Sequence, residues 1–567
     1  MNGSTPRRPL FVARLRGTQA EMGAQHGRLV ADDAVRLYEF YKTMPERTLA
    51  GDMPRPAKLA VRAIANAWQA RLARERPPEL AARTRAFVDA VREVMPRHDA
   101  KGAALTLATM DSMQNCVSVV ARAQLGPFSR PLMARAVAAA VPACSTLIAW
   151  GRTTEDGELL FGRNFDFPGV GVWDAAPAFV VCVPDQGQRY GFFTTRGADT
   201  PVVTVVNEAG LILAPHTRWH RGITWGGAMI VDLVHDIARR AETLADAIAI
   251  AKEKRASSSW GIAIGSAREK SGCVVELAGP HADVVRPRPG SEYIACTNRY
   301  RTETLQAGEL SGSAAWAIHS DRREARLRQL VDTRERALTA RDIAGFLGDR
   351  RDVNAPERVR HLGAILAQPL NVHCVVAKPG AREAWLGVDR APSCEGAWAH
   401  VAWQWEGARG GWEPDSVTAP GFTTTPLPDF VAPHDEATRH VRDAVRAYEG
   451  SHDVAATKAA IDKAIAVCPD DPSLRLAAAW LAVESGTPDR ALVHVHAGLA
   501  TETEPYRRGQ LLLWGARAAN KMDPALARRW RDDLSRLSGE GVDELRAHAR
   551  RRHDGRPRAN LMMVDAY

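Results

Sequence analysis

The chain has 567 residues, 45% hydrophobic and 25% charged, which reads as an ordinary soluble protein long enough for more than one domain. Its net charge of +9 comes from arginines scattered along the whole length rather than gathered in one block, which speaks against a nucleic-acid partner. Eight separated cysteines, with no CxxC and no Cys/His pair at ligand spacing, speak against zinc and against a disulfide framework, and nothing calls for a metal or cofactor. The first residues carry arginines with no apolar stretch behind them, and no run approaches the length of a membrane span. The expectation is a reducing cytoplasm, where a catalytic thiol survives.

In chain order, residues 17–41 place glycines at 17, 23 and 27 ahead of apolar residues at helical spacing (Leu29, Val30, Val35, Leu37, Phe40), which predicts a helix with a glycine-rich start. Residues 57–97 and 105–140 are rich in Ala and Arg with helical periodicity, broken by Pro77, Pro78, Pro96 and Pro127. Pro142 biases Val141 towards an extended conformation. The texture then changes. Residues 143–167 start with Cys144 at the head of a short apolar run, pass through a turn rich in Gly, Thr and Asp, and return through Leu159, Leu160 and Phe161 to Arg163, Asn164 and Asp166. This is a hairpin pattern, and it brings a thiol, a guanidinium and a carboxylate to one end of a sheet.

Taken singly, Cys144 reads as a small buried hydrophobe and Arg163 with Asp166 as a plain ion pair. Their conjunction is more specific. Cys-Ser-Thr, a Gly/Asp turn and then Gly-Arg-Asn-Phe-Asp-Phe (Gly162 to Phe167) resembles the N-terminal nucleophile hydrolases of the penicillin (acyl-CoA:aminopenicillanate) acyltransferase type, whose relatives include the bile salt hydrolases and acid ceramidase. The glycine spacing before residue 41 also resembles the opening of that family's pro-segment. The resemblance implies an α+β fold with a four-layer αββα sandwich, a helical pro-segment, and a backbone cut between Ala143 and Cys144 that makes Cys144 the catalytic residue. The chemistry is sound on its own terms. A thiol has a pKa of about 8.5 and a freed α-amino group about 7.7 to 8, so nucleophile and base belong to one residue and no histidine is needed.

Beyond residue 167, short apolar runs (178–183, 190–195, 201–206, 211–214) alternate with Gly, Asp, Asn and Pro turns and predict antiparallel hairpins. Asn207 and Glu208 read as turn residues, and the family's asparagine is absent near Pro215, His216 and Thr217, which leaves Thr217 or a backbone N–H as the second oxyanion donor. Residues 229–254 read as two helices divided near 241–243, with His235 packed on one of them. After a further strand at 293–296, Thr297-Asn298-Arg299-Tyr300 resembles the family's oxyanion asparagine, which assigns that role to Asn298. Ser320 to Leu327 reads as an N-capped helix bearing arginines. The resemblance maps a Ser-x-x-Arg-x-x-Arg pattern onto Ser320, Arg323 and Arg326, of which Arg323 and Arg326, with Thr217 and Trp219, are the expected substrate-binding residues. Residues 371–376 and 383–388 form a late hairpin, and Trp173, Phe192, Trp219 and Trp225 are candidates for an acyl pocket.

The division expected is a mainly helical pro-segment (1–143), a catalytic αββα domain (144–417), a Pro/Thr-rich linker (418–434) and an all-α C-terminal domain (435–567) with a tetratricopeptide-like Pro-Asp-Asp-Pro break. The preferred reading is a self-cleaving amidohydrolase or acyltransferase acting on a small amide or acyl thioester through Cys144, Arg163, Asp166 and Asn298, with its two fragments staying together. Two alternatives stand beside it. One is a catalytically silent scaffold whose C-terminal helices recruit a protein partner; the other is a conventional Cys-His peptidase, for which no particular histidine asks.

Overall fold

The computed structural model describes residues 10–42, 55–96, 111, 115, 143–222, 224–310, 314–406, 422–451 and 453–550. The helical pattern at 105–140, apart from positions 111 and 115, lies outside the described residues, as do Val141 and Pro142.

The first described element is strand β1 (Phe11–Gly17), whose alternation of apolar residues with Arg14 and Arg16 is a strand pattern. Helices α1 (Gln19–Leu29), α2 (Ala31–Tyr41), α3 (Arg55–Arg74) and α4 (Pro78–Val94) follow. Of the glycines read as a helix preamble, Gly17 ends β1 while Gly23 and Gly27 lie inside α1, which Thr18 and Glu21 start with a capping box. At Gly23 and Gly27 a Cβ would run into the carbonyl oxygens of Arg83 and Phe87, so these glycines let α4 cross α1 closely.

Six strands come next: β2 (Ser145–Ala149), β3 (Leu160–Asp166), β4 (Pro177–Pro184), β5 (Tyr190–Thr195), β6 (Thr204–Asn207) and β7 (Leu211–Thr217). Between β6 and β7, Gly210 takes φ 84° while Asn207 Oδ1 accepts from Leu211 N and Asn207 Nδ2 donates to Ala238 O and Ala241 O. The turn therefore also anchors a helix. That helix is α5 (Ile230–Arg240), and α6 (Leu244–Glu253) follows it through a Thr243 cap. Strands β8 (Ser259–Ser266), β9 (Ser271–Ala278), β10 (His281–Val285) and β11 (Tyr293–Cys296) precede helices α7 (Glu303–Gln306), α8 (Ala314–Asp332) and α9 (Ala340–Leu347). A small pair, β12 (Arg351–Asp352) and β13 (Ala355–Val359), leads to β14 (Asn371–Lys378), β15 (Glu383–Gly387), β16 (Trp398–Trp403) and β17 (Phe422–Leu427).

Two large sheets result. One runs β1-β4-β5-β6-β7-β8-β9-β10, with β1 parallel to β4, and the other runs β11-β2-β3-β14-β15-β16-β17. Side chains of period two on their facing sides (Val12, Phe179, Phe193 and Ile212 from one; Ile148, Phe161, Val375 and Val401 from the other) share one apolar cluster. The opposite faces are covered by helices. Leu147, Leu160 and Val376 pack with Leu327, Ile343 and Leu347 of α8 and α9, while Phe192, Leu213 and Ile262 pack with Leu233, Val234 and Ile237 of α5. With both faces covered, β2, β3, β5 and β8 are buried at every position.

The N-terminal segment, expected to be mainly helical, also carries β1, a strand of the first sheet. The stretch read as a linker contains β17, whose run of β-branched threonines pairs with β16 along the sheet edge, where Pro426 is tolerated. Seven helices close the described chain: α10 (Glu436–Ser451), α11 (Val454–Val467), α12 (Pro472–Glu484), α13 (Pro488–Thr501), α14 (Pro505–Ala519), α15 (Pro524–Arg536) and α16 (Val542–Ala549). Asp471 caps α12 with Pro472 in its first turn, which is why the Pro-Asp-Asp-Pro stretch separates two helices.

Candidate active site

Cys144 sits immediately before β2, and the β2–β3 pairing, with Ser145 opposite Asn164, sets Arg163 and Asp166 beside it. Arg163 Nη2 donates to Pro215 O at 2.6 Å and lies 3.5 Å from Cys144 Sγ. Asp166 forms no ion pair with it. Its Oδ1 accepts from Asn371 Nδ2 at 2.9 Å, and its Oδ2 has no partner although buried. Ala143 N donates to Asp166 O at 3.2 Å, which fixes the residue preceding Cys144 against the same strand.

From the other side comes Arg323 of α8, fully buried. Its Nη1 donates to Ala143 O (3.0 Å), Cys144 O (2.8 Å) and Ser145 Oγ (2.7 Å), and its Nη2 donates to Asn298 Oδ1 (3.0 Å). Asn298 Nδ2 in turn donates to Thr217 O at 3.0 Å, and Asn298 N to Ser320 Oγ at 2.9 Å. Ser320 is therefore not a helix cap. The helix begins upstream, and the serine hydroxyl instead ties α8 to the end of β11.

Burial sets the electrostatics. It raises the Cys144 thiol pKa, against the opposing pull of the Arg163 guanidinium. The same cause pushes Asp166 up to about 7, opposed by Arg323, Asn371 and Arg163. His216, whose Nε2 pairs with Thr146 Oγ1 at 2.8 Å, is held well below the usual histidine range by burial and by Arg163, Arg218 and Arg323. His373 falls to about 3 through burial and Arg163. Both shifts disfavour the imidazolium that a Cys-His pair would need.

A cavity of about 110 Å³ opens at Cys144, lined by Phe165, Phe167, Trp173, Pro215, Thr217 and Trp260 and, from the N-terminal helices, by Leu37, Tyr38, Tyr41 and Phe87. Of the four aromatic candidates, Trp173 lines this cavity. The other aromatic candidates are elsewhere: Trp219 stacks on Trp316 at 4.1 Å in the core, Phe192 packs against His26, and Trp225 is 60% exposed against Trp68. Arg326 is not at the site either. It pairs with Asp349 at 2.7 Å and Gln329 at 2.6 Å, pointing away from Cys144's partners. Sequence reasoning missed Asn371, which no motif marks, and the N-terminal aromatics, which only the tertiary fold brings to Cys144.

Among the described residues no group of three His, Cys, Asp or Glu is placed to hold a metal ion, and no helix is long and apolar enough to cross a membrane. The seven described cysteines form no disulfide.

No curated protein matches the chain. Among solved structures, the Caenorhabditis elegans N-acylethanolamine-hydrolyzing acid amidase ortholog is similar at 16% identity over 42% of this chain and 93% of that one, with a TM-score of 0.29. The family model described as acyl-coenzyme A:6-aminopenicillanic acid acyl-transferase matches residues 152–390, a span that begins just after Cys144 and includes Arg163, Asp166, Thr217, Asn298 and Arg323. Over that segment the chain is similar to the acyl-coenzyme A:6-aminopenicillanic acid acyl-transferase family.

Proposed function

We propose that the chain is an N-terminal nucleophile amidohydrolase or acyltransferase that activates itself by cutting between Ala143 and Cys144. The observation that carries this reading is the cradle around that bond: Arg323 Nη1 donates to both Ala143 O and Cys144 O, while Arg163 faces the thiol.

In the uncut chain, Cys144 Sγ attacks the Ala143 carbonyl carbon, the oxygen gains charge under Arg323, and the C–N bond breaks as sulfur replaces nitrogen. Water then hydrolyses the thioester, leaving an Ala143 carboxylate and a Cys144 with a free α-amine. That amine has a pKa near 8 and takes the thiol proton. The unpartnered Oδ2 of Asp166 suits the role of accepting from the resulting ammonium, and Arg163 favours the thiolate. In turnover the thiolate attacks an amide or thioester carbonyl. The second N–H of Asn298, not used on Thr217 O, steadies the oxyanion together with a donor at Thr217. The leaving group departs with the proton from the amine, and water or an acceptor amine resolves the acyl-enzyme. The apolar cavity beside Cys144 suits the acyl part of the substrate.

On this reading the two layers of strands between helices are the αββα sandwich of that superfamily, and residues 435–567 form a separate helical domain built of tetratricopeptide-like pairs. The fragments stay together because β1 is hydrogen-bonded into the sheet and Arg83 of α4 holds Asp199 in a buried ion pair. The test is covalent trapping. Protein quenched during turnover of an N-acyl amide carries the acyl mass on the peptide starting at Cys144, and Cys144→Ala stays uncut and unlabelled. Labelling at any other residue overturns the assignment.

A further inference from the structure

Residues Arg322 and Arg323 are neighbours on α8 and hold different partners. Arg323 reaches the backbone of Cys144, whereas Arg322 Nη2 donates to Glu504 Oε1 at 2.7 Å, with both side chains at or below 5% exposure, and its Nη1 reaches Asp352. Glu504 is itself fixed. It caps α14, with Oε1 accepting from Tyr506 N and Oε2 from Arg507 N.

The same face of the helical region holds other parts of the site's surroundings. Glu544 accepts from Ala314 N at the start of α8, and Glu449 accepts from Gly169 N and Val170 N in the loop between the cavity-lining Phe167 and Trp173. Arg360 and Glu502 close the contact with a two-pronged ion pair at 2.6 and 2.8 Å.

We propose that the C-terminal helices are a built-in brace of the active site, and that Glu504 is a positioning residue which, through Arg322 and α8, holds Arg323 on the Ala143 and Cys144 carbonyls. This rests on the function proposed above and adds to it a job for a region that otherwise reads as a partner-binding module. A buried carboxylate that both caps one helix and fixes an arginine on another restrains α8 in translation and in rotation. A shift of α8 by one ångström would take Arg323 off its acceptors.

Full-length Glu504→Gln keeps an acceptor oxygen for the cap and removes the charge. Its self-cleavage rate and kcat are expected to fall roughly 10- to 100-fold while KM stays within about twofold. Arg322→Lys, which keeps a cation for Glu504, is expected to retain most of the rate. Ile461→Ala, a buried position of α11, is expected to lower Tm and leave kcat unchanged. If Glu504→Gln does not fold, Arg322→Gln carries the same expectation with the cap intact. Hydrogen exchange supplies the readout that needs no turnover: amides of residues 143–149 exchange faster in Glu504→Gln than in the unaltered chain. Should the unaltered chain neither cut itself nor turn over, the proposed function fails and the exchange arm still reads the brace. Unchanged kcat and exchange in both charge variants, or an equal loss in Ile461→Ala, would overturn the proposal.

Discussion

Two places in this molecule bury several charges each, and they do so in opposite ways. At the junction with the C-terminal helices these buried charges are paired, although Arg322 and Arg360 each keep one unpartnered Nε: Arg360 takes both oxygens of Glu502, Arg322 takes Glu504, and His361 lies between Asp471 at 2.7 Å and Asp435 at 3.4 Å. At Cys144 the charges are left partly unsatisfied. Arg163 has two nitrogens without partners, Asp166 has one such oxygen, and two guanidiniums face one carboxylate. Buried ions that lack partners are costly, and under the proposed function those at Cys144 are the groups the reaction uses.

The comparison breaks most sharply at the thiol. Cys144→Ala should lower turnover by roughly a thousandfold or more and leave the chain whole on a denaturing gel. Next is Asp166. The folded chain favours its protonated form, so the stability this proton contributes is complete below 3.8 and is lost as pH rises through about 7. Asp166→Asn should lose roughly 100-fold or more in kcat, and in the uncut chain it should melt higher than uncut chain with Asp166 at pH 8.

The junction should respond in stability instead. Breaking its best pair with Arg360→Met should cost about 3–5 kcal/mol in denaturant unfolding, because Glu502 is then buried alone. Adding Glu502→Leu should recover most of that loss. The smallest effect is a pH dependence at His361, raised to about 9 against the desolvation that burial imposes, with Asp435 and Asp471 holding the proton and Arg350 opposing. The folded chain binds this proton more tightly than the unfolded one, so its contribution is complete below 6.5 and lost as pH rises through about 9. The loss should be up to about 3 kcal/mol and largely absent in His361→Gln.

Local signals explain which parts of this were legible in the sequence. The β2–β3 hairpin and the divided helices at 230–253 follow from period and turn residues close in sequence, and the residues around Cys144 carried a family pattern. Gly23 and Gly27 misled because a glycine that admits a crossing helix looks, in sequence, like one that starts a loop. The strand inside the Pro/Thr stretch was hidden because its partner is β16, across a segment whose length gives no hint of pairing. Trp219 and Arg326 have the right chemistry for a binding site, but their directions are decided by Trp316 and Asp349. Asn371 and Tyr41 reach the site only through long-range packing, and neither carries a local mark.

The central claim is tested most directly by the intact mass of freshly purified protein. The account predicts two masses, the larger belonging to a fragment whose first residue is Cys144, and both merging into one chain in Cys144→Ala. Full turnover by protein in which Ala143 remains joined to Cys144 would contradict it, since the thiol would then react without the amine that serves as its base.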